Sequence, residues 1–199
     1  GQKTYNGVAI LSREKIEDTT YGLPDEPCDE ARLVTGIVGG VTILNTYIPQ
    51  GVEIGSDYFK YKLAWFRRLR HYLDKSFDAK GMLIWCGDLN VAPEPIDLHD
   101  PDGHADHVCF HADARKAMAH VMDFGFVDCF RLHNKEAGQY TFWDYRMPHA
   151  LSGNKGWRLD HIMATRPLAK KCTGATIDKW PRTQERPSDH TPLIVEFDV

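Results

Sequence analysis

The chain has 199 residues, 24 Lys+Arg against 28 Asp+Glu, a net charge of −4 and 42% hydrophobic content. This is a globular composition sized for one large domain or two small ones. An aromatic content of 11% argues against disorder, and no run of about 18 apolar residues exists to span a membrane as a helix. The charge argues against a wholly basic nucleic-acid coat protein but leaves room for an enzyme with local basic patches.

In chain order, the start GQKTYNGVAIL lacks the charged-then-apolar layout of a signal peptide. Gly7–Leu11 reads as a strand, and Arg32–Val38 and Val41–Ile48 as two more. The Gly39-Gly40 pair between the latter is a hairpin signal. The spacing predicts a helix over Asp57–Phe77, with Tyr58, Tyr61, Trp65, Leu69, Tyr72 and Leu73 as its apolar stripe. Lys60, Lys62, Arg67, Arg68 and Arg70 read as a solvated cationic face. Gly81–Cys86 is a short apolar run, hence a buried strand, and it ends at Gly87-Asp88-Leu89-Asn90.

A long loop follows, with six acids and no Lys or Arg between Asp88 and Asp106. A second helix is expected over Asp113–Phe124, with Asp113 as N-cap and Gly125 just past its end. Strands are expected at Tyr140–Tyr145, Trp157–Ala164, Lys171–Trp180 and Leu193–Phe197. From Leu151 to His190 the charge reverses, with eight Lys+Arg against four acids. No repeat or linker divides the chain, so a single domain over residues 1–199 is expected. Its mixed pattern suggests an α/β sandwich of antiparallel or mixed sheets.

Five cysteines, at 28, 86, 109, 129 and 172, form no CxxC pair. That argues against a disulfide scaffold or a zinc ribbon, and a reducing intracellular compartment fits best. His99, His104, His107 and His111 have the short spacing of metal ligands, but their loop has no helix or strand pattern to fix ligand geometry. They read as a His-rich surface loop.

Four segments concentrate polar groups at strand ends. On extended chain Asp88 and Asn90 point the same way, presenting a carboxylate and an amide to one site. A carboxylate can activate water, and an amide can hold that water or a phosphate oxygen; the alternative is an Asx-rich turn. In Pro187-Ser188-Asp189-His190-Thr191-Pro192, Asp189 could ligate a hard cation and His190 could hold or protonate a phosphate oxygen, unless the segment is simply a Pro-bounded turn. In Trp157-Arg158-Leu159-Asp160-His161, the acid inside a β pattern needs a partner, either a histidine or a structural arginine. Tyr47 closes a strand and could donate to a phosphate or bond to backbone. No Walker-type loop and no GxSxG nucleophile occur. Metal-assisted hydrolysis of a phosphate ester suits this inventory, with Mg²⁺ or Mn²⁺ favoured over zinc because the candidate ligands are oxygens.

The segments GQKTYNGVAIL, TYIPQG, GDLNVAP, YTFWDYR, GWRLDHIMA and RPSDHTPL occur in an order that resembles the exonuclease III class of AP endonucleases, within the endonuclease/exonuclease/phosphatase superfamily. GDLN and SDH indicate only the superfamily, whereas YTFWDYR with GWRLDHI is more specific to the DNA-repair branch. The resemblance implies a four-layered, DNase I-like α/β sandwich with its active site at one end of two packed sheets. It implies hydrolysis of the DNA backbone 5′ to abasic sites, with 3′-5′ exonuclease and 3′-phosphodiesterase activity. Double-stranded DNA with abasic sites or 3′ ends would be the partner, acted on by a monomer when full length. Localisation would be cytoplasmic (nucleoid) in a bacterium and nuclear in a eukaryote.

By the resemblance, Asp88 orients or deprotonates the attacking water, helped by Asn90. His190 contacts phosphate, Asp160 pairs with it, and Tyr47 lies near the scissile phosphate. Asp189, Asp88 and Asn90 are associated with the metal. Phe142, Trp157 and Leu159 form an apolar pocket for the base-less sugar, and Arg146 lies near a position that inserts into the duplex. Family members carry an Asn-bearing and a Glu-bearing strand ahead of the GQK segment. On this resemblance the chain is expected to be the C-terminal part of the domain and severely impaired in Mg²⁺-dependent cleavage by itself. Two other readings stay open: a non-catalytic DNA-binding fragment, and a phosphatase acting on a small phosphorylated substrate.

Overall fold

The structure is a computed structural model, and it describes residues 1–24 and 31–199. Cys28 lies outside the described residues; Cys86, Cys109, Cys129 and Cys172 are free thiols. Six strands form the main sheet: β1 (Glu17–Tyr21), β2 (Leu33–Val38), β3 (Val41–Thr46), β4 (Leu83–Asp88), β5 (Phe126–Asp128) and β6 (Asp160–Thr165), in the order β1-β2-β3-β4-β6-β5. Among the described residues only the β3–β4 pairing is parallel. Strands β7 (Cys172–Ile177) and β8 (Leu193–Phe197) form a second, antiparallel sheet. The β2–β3 turn runs through Gly39 at φ 55° and Gly40 at φ 79° and pairs Val38 with Val41. Positive φ at both central residues is what a tight hairpin needs to match strand twist, and glycine supplies it without steric cost.

Helices α1 (Asp57–Ser76) and α2 (Ala112–Met122) share one core with the main sheet. Trp65, Phe66, Leu69 and Leu73 pack with Leu44, Leu83, Trp85 and Met163, all nearly inaccessible to solvent. Ser56 caps α1 by accepting the Phe59 N–H at 3.2 Å, which satisfies one of the helix's unpaired donors. On the other side, Ala164 of β6 packs in a cluster with Val195 and Phe197 of β8 and with α3 (Cys129–His133) and α4 (Arg166–Ala169).

Several expectations are corrected. Gly7–Leu11 is not a strand; it is tied to the sheet by Ala9 O accepting from Asn45 Nδ2 at 2.8 Å, with Ile10 lying near Gly36 of β2. The edge is instead β1, whose five residues are all exposed, so backbone pairing holds it and no apolar alternation announces it. Tyr140–Tyr145 is not a strand either; Phe142 makes isolated bridges to Trp157 and His190. The N-cap of α2 is His111, whose Nδ1 accepts from Asp113 N–H, and not Asp113. Tyr58 is exposed, and the buried face of α1 takes in Phe59, Phe66 and Lys62. Arg158 and Arg182, counted in the positive C-terminal stretch, are also buried.

The buried Arg158 organises a four-residue ion network. It bonds Asp97 at 2.7 Å and Asp128 at 2.7 Å, and Arg131 bonds Asp97 at 2.5 Å. The charges compensate pairwise, which a buried ion requires. Arg158 also donates to His161 Nδ1 at 3.0 Å, so the proton of that ring sits on Nε2, which donates to Val91 O at 2.9 Å. Burial first, and then Arg158, hold the His161 pKa down to about 4. A histidine whose pKa falls on folding favours the folded state fully above its unfolded pKa, and that contribution is lost as pH falls through the folded value. The stability advantage of the wild type over His161→Gln is therefore expected to shrink by on the order of 3 kcal/mol between pH 6.5 and 4. Urea titrations of both proteins across that range check it, and a constant difference would refute it.

Candidate active site

Strand β4 delivers Asp88 through Gly87, which sits at φ 121°. A Cβ on Gly87 would lie 2.0 Å from Thr46 O and 2.7 Å from Asn45 Oδ1. Only glycine permits this approach of β4 to β3. Gly87→Ala is expected to cost about 3 kcal/mol or more through strain and overpacking. The check is a lowered urea midpoint at unchanged m.

Asp88 lies directly across from Asp160 in the β4–β6 register. Like charges facing each other across strands repel. Burial first, and then Asp160, push the Asp88 pKa up to about 7, although His190, the Asn90 N–H and Lys62 oppose the shift. Asn90, at φ 50°, turns back on Asp88: its N–H meets Oδ1 at 3.0 Å and its Nδ2 meets Oδ2 at 3.1 Å. Nδ2 also donates to Ile48 O, while Oδ1 faces the Cys109 thiol at 3.7 Å. The Asn90 amide is thus committed to orienting Asp88, and its oxygen is turned to the thiol and not toward a cation.

Asp160 accepts from His190 Nδ1 at 2.7 Å. Burial opposes the imidazole's charge, but this bond and the surrounding carboxylates raise the His190 pKa to about 9. His190 is therefore a cationic donor at neutral pH, with Phe142 packed against its ring at 4.9 Å. The partner of Asp160 is the histidine; the nearby arginine is occupied by Asp97 and Asp128. Tyr47 lies between Arg32, stacked over its ring at 4.8 Å, and Asp88, and its pKa is raised by burial and by Asp88. Asp189 influences Tyr47 and His190 electrostatically, but it is not among the residues lining either cleft described below.

Two clefts meet at Tyr47, Asp88 and His190. One, of about 430 Å³, adds Asn45, Asp160 and the Gly7–Ala9 stretch. The other, of about 450 Å³, is walled by Phe142, Trp157 and Leu159 with His104 and His107. Arg146 stands on the rim of the second, its side chain 90% exposed and paired with Asp144 at 2.8 Å. The structure thus places Tyr47, Asp88, Asn90, Asp160, His190, Phe142, Trp157, Leu159 and Arg146 about one continuous cavity. Among the described residues no three His, Cys, Asp or Glu side chains converge as a metal cluster. His99, His104 and His107 instead pack their rings around Trp157. The oxygen donors of the first cleft, Asp88, Asp160 and the Asn45 amide, fit a hard cation such as Mg²⁺, which keeps several waters and needs only one or two carboxylates.

Lys62, expected on the solvated cationic face of α1, is instead buried beneath the site. It is fully buried, and its Nζ donates to the carbonyls of Gln50, Asn90 and Val108 at 3.1, 2.7 and 2.8 Å. It ties three loops beneath the site, and burial lowers its pKa. The signal was present, since Lys62 lies three residues from both Phe59 and Trp65 on one helical face, but a charge inside an apolar stripe reads as an interruption of it.

A mixed six-stranded sheet packed on a second antiparallel sheet, with a carboxylate pair and an imidazole at the strand ends, defines an α/β sandwich of the DNase I-like kind. Solved structures share it. An AP endonuclease from Archaeoglobus fulgidus superposes with a TM-score of 0.92 at 49% identity, covering 94% of this chain and 73% of that one. A 3′-5′ exonuclease from Neisseria meningitidis gives 0.94 at 35%, covering 100% and 78%. In sequence, the Haemophilus influenzae exodeoxyribonuclease III is 30% identical over 99% of this chain and 78% of its own length. The DNA repair nuclease APEX1 of Danio rerio is 35% identical over 96% of this chain. A model described as the Endonuclease/Exonuclease/phosphatase family matches residues 1–190. The chain belongs to that family. It spans 60% of the Danio rerio protein and 54% of a Dictyostelium discoideum DNA-(apurinic or apyrimidinic site) endonuclease.

Proposed function

We propose that the chain carries the catalytic face of a DNA-repair phosphodiesterase that hydrolyses the backbone 5′ to abasic sites and trims 3′ ends. The observation that carries this reading is the Asp88–Asn90 and Asp160–His190 pairs set at the mouth of the Phe142–Trp157–Leu159 pocket. A compact sugar without its base can swing out of the duplex into such a pocket, which brings the adjoining phosphate to the polar residues. There Asp88, held by Asn90, accepts a proton from the attacking water. Cationic His190, held by Asp160, donates from Nε2 to a phosphate oxygen and stabilises the charge that builds there. The Tyr47 phenol is placed to donate to the same phosphate. Mg²⁺ or Mn²⁺ would be held by Asp88 and Asp160 and, when bound, supplies Lewis-acid polarisation of the phosphate. Asp189 is assigned a supporting electrostatic role at the metal side. The similarity to proteins named AP endonuclease and exodeoxyribonuclease III supports the substrate class.

The test uses a duplex with a single abasic site. The protein is expected to bind it ahead of the intact duplex, with affinity falling as salt rises, and any nick it makes, however slow, is expected 5′ to the site and only with Mg²⁺ or Mn²⁺. The reading fails if neither the binding preference nor the nick is seen.

A further inference from the structure

The histidines of the long acidic loop take no part in the chemistry above, yet two of them line the sugar pocket. His107 packs its ring on Trp157 at 4.7 Å, and His104 meets the same indole edge-on at 5.1 Å. Their tautomers are set by the backbone. His107 Nδ1 accepts the Cys109 N–H at 3.2 Å, so its proton resides on Nε2. His104 Nδ1 faces Asp100 O at 2.8 Å and must donate to it, which leaves Nε2 as a lone pair in the neutral ring. Partial burial and the neighbouring His104 and Lys62 lower the His107 pKa to about 4 and keep this ring neutral. Among the described residues His107 Nε2–H has no protein partner. Beside the Phe142, Trp157 and Leu159 wall the pocket thus carries a defined, uncommitted donor, with an acceptor-bearing ring 6.2 Å away; Gln50, Asp144 and Arg146 line it as well.

Hydrolytic loss of a base leaves a hydroxyl on C1′ of the deoxyribose. Against the Phe142, Trp157 and Leu159 faces that hydroxyl would lose its water without replacement, at a cost. We propose that His107, with His104, is a specificity residue that reads this hydroxyl: His107 Nε2–H donates to it, and the pocket selects a hydrolysed abasic deoxyribose over a sugar lacking the C1′ oxygen. This rests on the proposed function and names the form of the substrate.

Binding in EDTA, where no cleavage occurs, separates the two. Three duplexes are compared: one with a natural abasic site, one with the tetrahydrofuran analogue that lacks the C1′ hydroxyl, and the intact duplex. The wild-type protein is expected to bind the natural site roughly three- to tenfold tighter than the analogue, the range of one neutral hydrogen bond. His107→Phe keeps the packing on Trp157 but removes the donor, and should bind both abasic duplexes alike. His107→Asn places an amide oxygen where Nδ1 accepts from Cys109 and restores a donor, so it should recover part of the discrimination. Equal wild-type binding to natural site and analogue, with both preferred to intact duplex, overturns the inference and spares the proposed function. Discrimination unchanged in His107→Phe also overturns it. No preference of the wild type for either abasic duplex over the intact one overturns both.

Discussion

Asp88→Ala and His190→Ala are each expected to lower Mg²⁺-dependent incision at an abasic site by about 10²–10⁴-fold, the range of a lost general base or a lost charge-stabilising donor. Loss of activity alone would not separate chemistry from folding, so stability is measured in parallel. Asp88 has a folded pKa of about 7, above the ordinary carboxylate value of 3.8. A carboxylate whose pKa rises on folding destabilises the fold once pH exceeds the unfolded value, and the penalty is complete above the folded one. Asp88→Asn should therefore be more stable than the wild type at pH 8 in EDTA while being equally inactive. Activity in the Asp88 variants within tenfold of wild type would remove Asp88 as the water-activating residue. A stability loss with an activity loss would reassign it to structure.

The second large effect lies away from the chemistry. Asp97→Leu is expected to destabilise the protein by about 3–5 kcal/mol, because it leaves Arg158 and Arg131 short of a carboxylate in a dry interior. Asp97 and Arg158 are both fully buried. The double variant Asp97→Leu/Arg158→Met should recover part of the loss, since it returns the network from a net charge of +1 to zero, with Arg131 left to balance Asp128. Urea unfolding gives the numbers. A cost below about 1 kcal/mol for Asp97→Leu would mean that water or Asp128 compensates Arg158 fully. Arg158, Leu159 and Asp160 follow one another, and Leu89 N–H bonds Leu159 O at 2.9 Å. The network therefore also holds Asp160 across from Asp88, and the Asp97 variant should lose incision activity ahead of its global unfolding.

Elements with a clear period were legible from sequence. Asp57–Phe77 became α1 with one residue less, the Gly39-Gly40 hairpin formed with Val38 paired to Val41, and Leu193–Phe197 matched β8. Elements held mainly by backbone pairing were not. β1, with the sequence EDTTY, carries no apolar face, and its place at the sheet edge comes from bonds to β2. Tyr140–Tyr145 has β-rich residues, but they serve as pocket wall and bridge, where an irregular path brings Phe142 to both Trp157 and His190.

By itself the sequence determined which residue types are available and where the chain must bend: the GDLN and SDH segments, the aromatic YTFW and GWRL runs, and the glycines that permit close approach. The tertiary structure decided which polar groups meet. That Asp160 pairs with His190 and not Arg158, that Lys62 faces inward to three carbonyls, and that His107 packs its ring on Trp157 all depend on segments far apart in the chain. The physical reason is that an apolar side chain is buried at little risk wherever its period points, whereas a polar one can be buried only where distant partners satisfy it. Local pattern does not contain those partners.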